Sequence, residues 1–135
     1  MPNCYCIILC ENSSLEEDKD TWNLSSVVEA VRINTLPASI SLETHIFWRF
    51  LPDEIHHNFE GRLVISLGQG HIEYSNPFLF NSSSLYSHLC LLGMQIFAAD
   101  EHRIGIEWRR QQSDNQSPWN RENVFWLFTV QLMNG

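Results

Sequence analysis

Residues 40–51 alternate between apolar and polar side chains more regularly than any other part of the chain. One side of this ribbon carries Ile40, Leu42, Thr44, Ile46, Trp48 and Phe50, and the other carries Ser41, Glu43, His45 and Arg49. Only Phe47 and Leu51 depart from the pattern. A period of two residues is typical of a strand with one buried face, so the segment predicts a half-buried antiparallel strand.

Shorter segments with the same character occur on both sides of this strand. They predict strands at residues 4–10, 22–33, 62–67, 71–80, 85–97, 103–109 and 123–133. The second is expected to bend at Ser25 and Ser26, and Gly68 to Gly70 is typical of a hairpin turn. The run at 85–97 suits a buried helix almost as well as a strand, and its neighbours favour strand.

About eight short strands, with turn signals between them and no long amphipathic helix, predict an all-β fold. We expect two antiparallel sheets packed face to face, an immunoglobulin-like or C2-like β-sandwich that forms a single domain over residues 1–135. A chain of this length buries roughly two thirds of its unfolded surface, enough for one core. The predicted core residues are Leu42, Ile46, Trp48, Ile65, Ile106, Trp108, Trp126 and Phe128.

Composition and charge narrow the classes of partner. The chain is 44% hydrophobic and 18% charged, with a net charge of −8, so its average field repels phosphate backbones and anionic lipid. We expect no nucleic acid or membrane partner. The first residues lack the positive region of a signal peptide, and no apolar run reaches the length of a membrane span. These features predict a cytoplasmic protein.

Candidate metal ligands are present, but their spacing is poor. Cys4, Cys6 and Cys10 fall on one side of the predicted first strand, and Cys90 is distant in sequence. Successive same-side residues of a strand lie about 7 Å apart, too far to share an ion. The acidic segment 16–20 and the pair at residues 56 and 57 also lack dedicated ligand spacing. We therefore expect four reduced thiols, no metal and no cofactor.

No motif with high catalytic specificity occurs in the sequence. No glycine-flanked serine or cysteine nucleophile and no phosphate-binding loop is found, so we expect the protein not to be an enzyme. The leading hypothesis is a non-catalytic binding or assembly module with a protein partner or a second copy of itself. The alternative is a sandwich that binds a small molecule, for example a carbohydrate.

The candidate contact residues lie in the long polar segment 110–122. Trp119 is a large apolar ring that follows Pro118, and polar groups surround it at Asn115, Asn120 and Arg121. An aromatic anchor with adaptable polar neighbours is typical of recognition surfaces. The alternative is that Trp119 folds back to cap the open end of the sandwich.

Three stretches in the N-terminal third also carry a resemblance to a known family. They are residues 5–11 (YCIILCE), residues 24–33 (LSSVVEAVRI), and Leu36-Pro37 leading into an extended segment with Phe47-Trp48. In these stretches the chain resembles small uncharacterised bacterial all-β proteins that are grouped as a domain of unknown function. The resemblance implies a compact all-β domain and brings no activity, ligand or site residue with it.

Overall fold

Strands account for nearly all of the regular structure in the computed structural model, which describes residues 2–16, 21–68, 70–111 and 118–133. In order, the strands are β1 (Asn3–Glu16), β2 (Thr21–Val27), β3 (Ala30–Ile33), β4 (Ala38–Arg49), β5 (Phe59–Leu67), β6 (Ile72–Tyr74), β7 (Phe78–Phe80), β8 (Tyr86–Ile96), β9 (Glu101–Arg110), β10 (Asn120–Arg121) and β11 (Trp126–Leu132). A short 3₁₀ helix, Pro52–Glu54, follows β4. No helix in the described part of the chain is long and apolar enough to cross a membrane.

The strands form two sheets that pack against each other. The four-stranded sheet has the order β2-β1-β4-β8. The seven-stranded sheet has the order β3-β11-β9-β5-β6, with β10 paired to β9 and β7 paired to β5. Pairing is antiparallel except between β3 and β11, which run parallel. The predicted all-β sandwich is therefore confirmed, with eleven strands among the described residues in place of about eight.

The core between the sheets follows the alternation predicted from the sequence. Ile46, Trp48, Ile106, Trp108 and Phe128 are buried, as expected. The other three predicted core residues, Leu42, Ile65 and Trp126, are half-buried and pack against this core. The segment at 85–97 is confirmed as a strand, β8.

Two of the three extra strands arise because predicted strands are divided, and the third, β10, lies within the predicted loop 110–122. The predicted strand 22–33 becomes β2 and β3, which lie in different sheets. Ser26 has a positive φ of 58°, and the chain then crosses the sandwich: Val28 N–H donates to Leu9 O in the first sheet, while Glu29 O accepts from Thr129 N–H in the second. The predicted strand 71–80 becomes β6 and β7 on either side of Pro77, which cannot donate a ladder hydrogen bond.

Aromatic rings fill one region of the core. Phe80 stacks on Trp48 with ring centroids 4.7 Å apart, and it also contacts Phe50 and Phe59. Phe59 packs edge-on against Trp108. The five rings come from β4, β5, β7, β9 and the residue after β4, so they connect both sheets.

Candidate functional site

The predicted contact residue Trp119 lies over the outer face of the seven-stranded sheet. Its ring contacts two guanidinium groups, with Arg62 Cζ at 4.2 Å and Arg109 Cζ at 4.1 Å from the ring centroid. Both arginines point away from the core, since their strand neighbours Leu63 and Trp108 point into it. The ring neither caps the end of the sandwich nor stands free, because cation–π contacts hold it on the sheet.

The neighbouring predicted residues attach β10 to β9. Asn120 Nδ2 donates to the Trp108 carbonyl at 3.3 Å, and Arg121 Nε donates to Glu107 Oε2 at 2.9 Å. Arg121 also lines a pocket of about 210 Å³ above Gly105. Asn115 lies outside the described residues. The structure thus brings three of the four predicted residues to one surface and gives each a partner within the chain.

The outer face of the four-stranded sheet holds a group of side chains that the sequence did not predict to meet. In β1, Cys4 pairs with Trp48 and Cys6 pairs with Phe47, so β1 has one extra residue, Tyr5, at this point. This β-bulge reverses which side of β1 faces the core. Cys4 is in the core, whereas Cys6 and Cys10 lie on the outer face, and the expectation that all three cysteines share one side was wrong.

A second bulge reverses the sides of β8. Ile40 pairs with Met94 and Glu43 pairs with Leu92, so Gly93 alone stands opposite two residues of β4. Gly93 has a φ of +81°, a conformation that glycine adopts without strain. Met94 therefore points into the core while Leu92 points out, which explains the mixed periodicity of this strand in the sequence.

With this strand register, two cysteines, a glutamate and a histidine from three adjacent strands lie side by side. Cys10 of β1 pairs with Glu43 of β4, and His45 of β4 pairs with Cys90 of β8. The Cys10 sulfur, a Glu43 carboxylate oxygen and a His45 ring nitrogen all lie within 4.8 Å of one another. The Cys90 sulfur is 3.7 Å from His45 Nε2 and 3.9 Å from Glu43 Oε1. We call Cys10, Glu43, His45 and Cys90 the thiol cluster.

The β1–β2 hairpin covers the thiol cluster from outside. Ser13 Oγ donates to Glu43 Oε1 at 2.6 Å. The Trp22 ring packs edge-on against His88 with centroids 4.2 Å apart, and it also contacts the His45 ring. His45 is consequently fully buried, although it sits on the outer face of the sheet.

Two histidines continue the hydrogen bonds from the thiol cluster. Glu43 Oε1 is 2.9 Å from His45 Nε2, and His45 Nδ1 is 2.6 Å from His88 Nε2. With both rings neutral, the carboxylate can only accept, so His45 is protonated on Nε2 and accepts at Nδ1 from His88 Nε2–H. His88 Nδ1 then carries a lone pair, and this buried atom has no hydrogen-bond partner among the described residues.

The surroundings set the charge of these groups. Burial, together with the neighbouring His45, lowers the pKa of His88 to about 4. Hydrogen bonds from Ser13 and His45 lower the pKa of Glu43. Burial raises the pKa of Cys90 to about 11 and also raises the pKa of Cys10. At neutral pH the site therefore holds a charged carboxylate, a neutral His88 and two protonated thiols.

A thiol, an imidazole and a carboxylate in contact suggest a nucleophilic triad, but the geometry differs from one. In a triad the nucleophile and the carboxylate bind opposite nitrogens of the histidine. Here Cys90 and Glu43 both approach His45 Nε2, and Nδ1 is occupied by His88. The raised pKa of Cys90 also disfavours the thiolate that attacks substrates.

Beside the thiol cluster, an open groove of about 780 Å³ crosses the same face of the sheet. The side chains that line it are uncharged: Tyr5, Trp22, Leu24, Phe47, Ser84, Tyr86, Ser87 and His88. Phe47 and His88 stack with centroids 4.3 Å apart and planes within 5° of parallel, while Tyr5 contacts both Phe47 and Tyr86. We call this feature the aromatic groove.

The weaker metal candidates from the sequence do not form comparable groups. His57 Nδ1 is 2.7 Å from an Arg110 guanidinium nitrogen, so the neighbour of this histidine is a cation. Residues 17–20 of the acidic segment lie outside the described residues. Among the described residues, three metal-ligating side chains close enough to share an ion are found only in the thiol cluster, namely Cys10, Glu43 and His45.

Comparison of the chain with protein-family models, curated proteins and solved structures found no significant match.

Proposed function

We propose that the protein is a ligand-binding β-sandwich whose aromatic groove holds a neutral, hydroxyl-rich molecule of the carbohydrate class. The observation that carries this proposal is the lining of the groove, which combines several aromatic rings with hydroxyl groups and has no charged side chain. The chain as a whole has a net charge of −8, so an uncharged groove of this size stands apart from the average surface. A charged ligand would find no counter-charge among these side chains.

The rings of the groove suit the stacking of a sugar. Tyr86 is 60% exposed, and Tyr5 and Trp22 are also exposed, so their surfaces are accessible to a ligand. A sugar ring presents a face of C–H groups, which is apolar, and an edge of hydroxyls. Aromatic side chains cover the apolar C–H face, and the polar atoms of the groove hydrogen-bond the hydroxyls.

His88 lines the groove, and its buried Nδ1 atom has no hydrogen-bond partner among the described residues. A buried polar atom without a partner costs free energy, and a ligand that supplies the partner recovers it. Because Nδ1 is buried, a ligand hydroxyl reaches it only when the side chains around His88 move aside. The low pKa of His88 keeps the ring uncharged at neutral pH.

We expect Trp22→Ala and Tyr86→Ala to weaken carbohydrate binding by at least about 10-fold, since stacking of a ring on an aromatic side chain is worth roughly 1 kcal/mol or more. A glycan array would find the sugar, and isothermal titration calorimetry with that sugar would compare the variants. Tyr86→Ala should leave the free energy of unfolding within about 0.5 kcal/mol of the wild-type value, because the ring is exposed.

Trp119→Ala is the matched control, since this tryptophan lies on the other sheet. We expect it to leave binding unchanged. Loss of binding in Trp119→Ala together with unchanged binding in Tyr86→Ala would move the site to the loop predicted from the sequence. If no glycan binds, the carbohydrate assignment is wrong.

The free edge of β8 supports a second candidate function, assembly with another copy of the chain. β8 has eleven residues, none of them charged and none proline, and no strand of the described residues pairs with its outer edge. Leu92 on this strand is 77% exposed. Long uncharged edges pair readily with other strands, and natural proteins protect them with charges or proline.

If β8 assembles, Leu92→Lys should convert the dimer to a monomer, because a lysine on an edge opposes strand pairing. Sedimentation velocity across a concentration series measures the change in mass. Leu79→Lys is the control, since Leu79 is also exposed but lies on β7 of the other sheet. A wild-type protein that stays monomeric at high concentration would exclude this function.

A further inference from the structure

The thiol cluster has the donor atoms of a metal centre. Cys10, Glu43, His45 and Cys90 offer two sulfurs, one imidazole nitrogen and one carboxylate oxygen from three adjacent strands. We propose that these four side chains form a tetrahedral binding site for Zn²⁺. This site goes beyond the carbohydrate groove and does not depend on it.

The distances match the size of a zinc site. Zinc bonds of about 2.0–2.3 Å place the ligand atoms of a tetrahedron about 3.3–3.8 Å apart. Cys90 Sγ is already 3.7 Å from His45 Nε2 and 3.9 Å from Glu43 Oε1. The hydrogen bond of 2.9 Å between Glu43 and His45 would widen by about half an ångström when both groups bind the ion instead.

The objection that strand residues lie too far apart applies only within one strand. Cys6 and Cys10 are four residues apart on β1, and only Cys10 belongs to the thiol cluster. Side chains that face each other across neighbouring strands lie only about 5 Å apart at Cβ, and Cys10 faces Glu43 just as His45 faces Cys90. Three adjacent strands can therefore surround an ion that a single strand cannot.

The surrounding hydrogen bonds resemble the outer shell of metal sites. A metal-bound histidine normally donates its other N–H to a nearby acceptor, and bound carboxylates accept a further hydrogen bond. His45 Nδ1 already lies 2.6 Å from His88 Nε2, and Ser13 Oγ donates to Glu43. With the ion on His45 Nε2, Nδ1–H donates to His88. Both partners are thus in place.

The ligand set also selects among metals. Thiolate and imidazole ligands favour zinc and related transition metals, whereas calcium and magnesium require oxygen ligands. Four protein ligands close the coordination shell, which is typical of structural zinc sites. Cys10 and His45 are fully buried, while Cys90 is exposed and leaves a path for the ion.

The test uses the full chain, freed of metal with a chelator and titrated with Zn²⁺ against a chromophoric competitor. We expect about one zinc per chain and a rise in Tm of about 5–10 °C at 100-fold excess over Kd. Co²⁺ in place of zinc should give thiolate charge-transfer absorption and the intense visible bands of a tetrahedral site.

Cys90→Ser should weaken zinc binding by at least about 100-fold, because it removes a ligand where loss of an outer-shell group alone costs 10–100-fold. Cys90 is exposed, so this variant keeps its fold, which circular dichroism would verify. Cys6→Ser is the matched control: it removes a thiol from the same sheet face but outside the cluster, and it should bind zinc like the wild type. Failure of the wild type to bind one zinc, or equal binding by Cys90→Ser and wild type, or equal losses in Cys90→Ser and Cys6→Ser, overturns the proposal.

Discussion

Trp48→Ala is expected to lower the free energy of unfolding by about 3–5 kcal/mol, the range for truncating a buried aromatic residue. Trp48 is fully buried near the end of β4 and stacks on Phe80, so the truncation leaves a cavity that both sheets border. The loss is a large part of the total stability of a domain this size, which is about 5–15 kcal/mol. Urea denaturation followed by circular dichroism measures it.

Trp48→Phe distinguishes the contribution of packing by this side chain from the effect of its polar Nε1 atom. Trp48 Nε1 is buried and has no hydrogen-bond partner among the described residues. Replacing the indole with a phenyl ring removes this unpaired donor and keeps part of the packing, so the two effects partly offset each other. We expect Trp48→Phe to cost less than half as much as Trp48→Ala. Equal losses of unfolding free energy in the two variants would show that the unpaired Nε1–H does not destabilise the folded protein.

Phe80→Ala is expected to have an effect of similar size, about 3–5 kcal/mol. Phe80 contacts the rings of Trp48, Phe50 and Phe59, and pairs of aromatic rings add about 0.5–1.5 kcal/mol beyond the area they bury. The residue lies in β7, a strand of only three residues, so its side chain fixes that strand to the core. The same urea experiment measures the loss, and an unchanged midpoint would contradict the core assignment.

A double-mutant cycle tests the ring stack itself. Because Trp48 and Phe80 touch, the cost of the double variant should differ from the sum of the single costs by about 0.5–3 kcal/mol. The control pairs Trp48→Ala with Val130→Ala, a core residue of β11 that lies outside the aromatic cluster. Additive behaviour in both cycles would contradict the contact between the two rings.

Local patterns in the sequence were enough to predict the class of fold. Alternation in β4, β5, β9 and β11 indicated which side of each strand faces the core, and turn residues indicated where strands end. These signals are local because a strand buries every second residue. The break between β2 and β3 was harder to predict, since the change of sheet at Val28 and Glu29 depends on partners about 20 and 100 residues away, Leu9 and Thr129.

The candidate site could not be predicted from the same patterns. Its residues come from three strands, and bulges in β1 and opposite Gly93 of β8 change which side chains share a face. Regular alternation places Cys4 with Cys10, while the bulge at Tyr5 separates them. Gly93 within an apolar run was the one local signal, because a glycine inside a strand often marks a bulge. Which residues then face each other depends on strand register, which only the folded chain provides.

The loop site at Trp119, in contrast, was predicted from the sequence, but its contacts were not. The sequence identified Trp119 as an aromatic ring among polar groups, and the structure places the guanidinium groups of Arg62 and Arg109 against that ring. These arginines come from β5 and β9, and in the sequence they looked like ordinary outward-facing residues. An aromatic residue in a polar loop can therefore either contact a ligand or pack on cations of its own chain, and here the nearby arginines favour the second.

The chain changes sheets repeatedly between β2 and β9, and this has a consequence for how the protein folds. β1 and β2 belong to one sheet, β3 to the other, β4 to the first, β5 to β7 to the second, β8 to the first and β9 to the second again. Neither sheet is made from a continuous piece of chain, so neither can form first from neighbouring residues alone. Folding must close long loops before most strand pairs exist, which predicts slow folding, on the scale of milliseconds to seconds. For the same reason a fragment that ends after β4 lacks an edge of one sheet and nearly all of the other, and only the whole chain can acquire the native structure in one cooperative step.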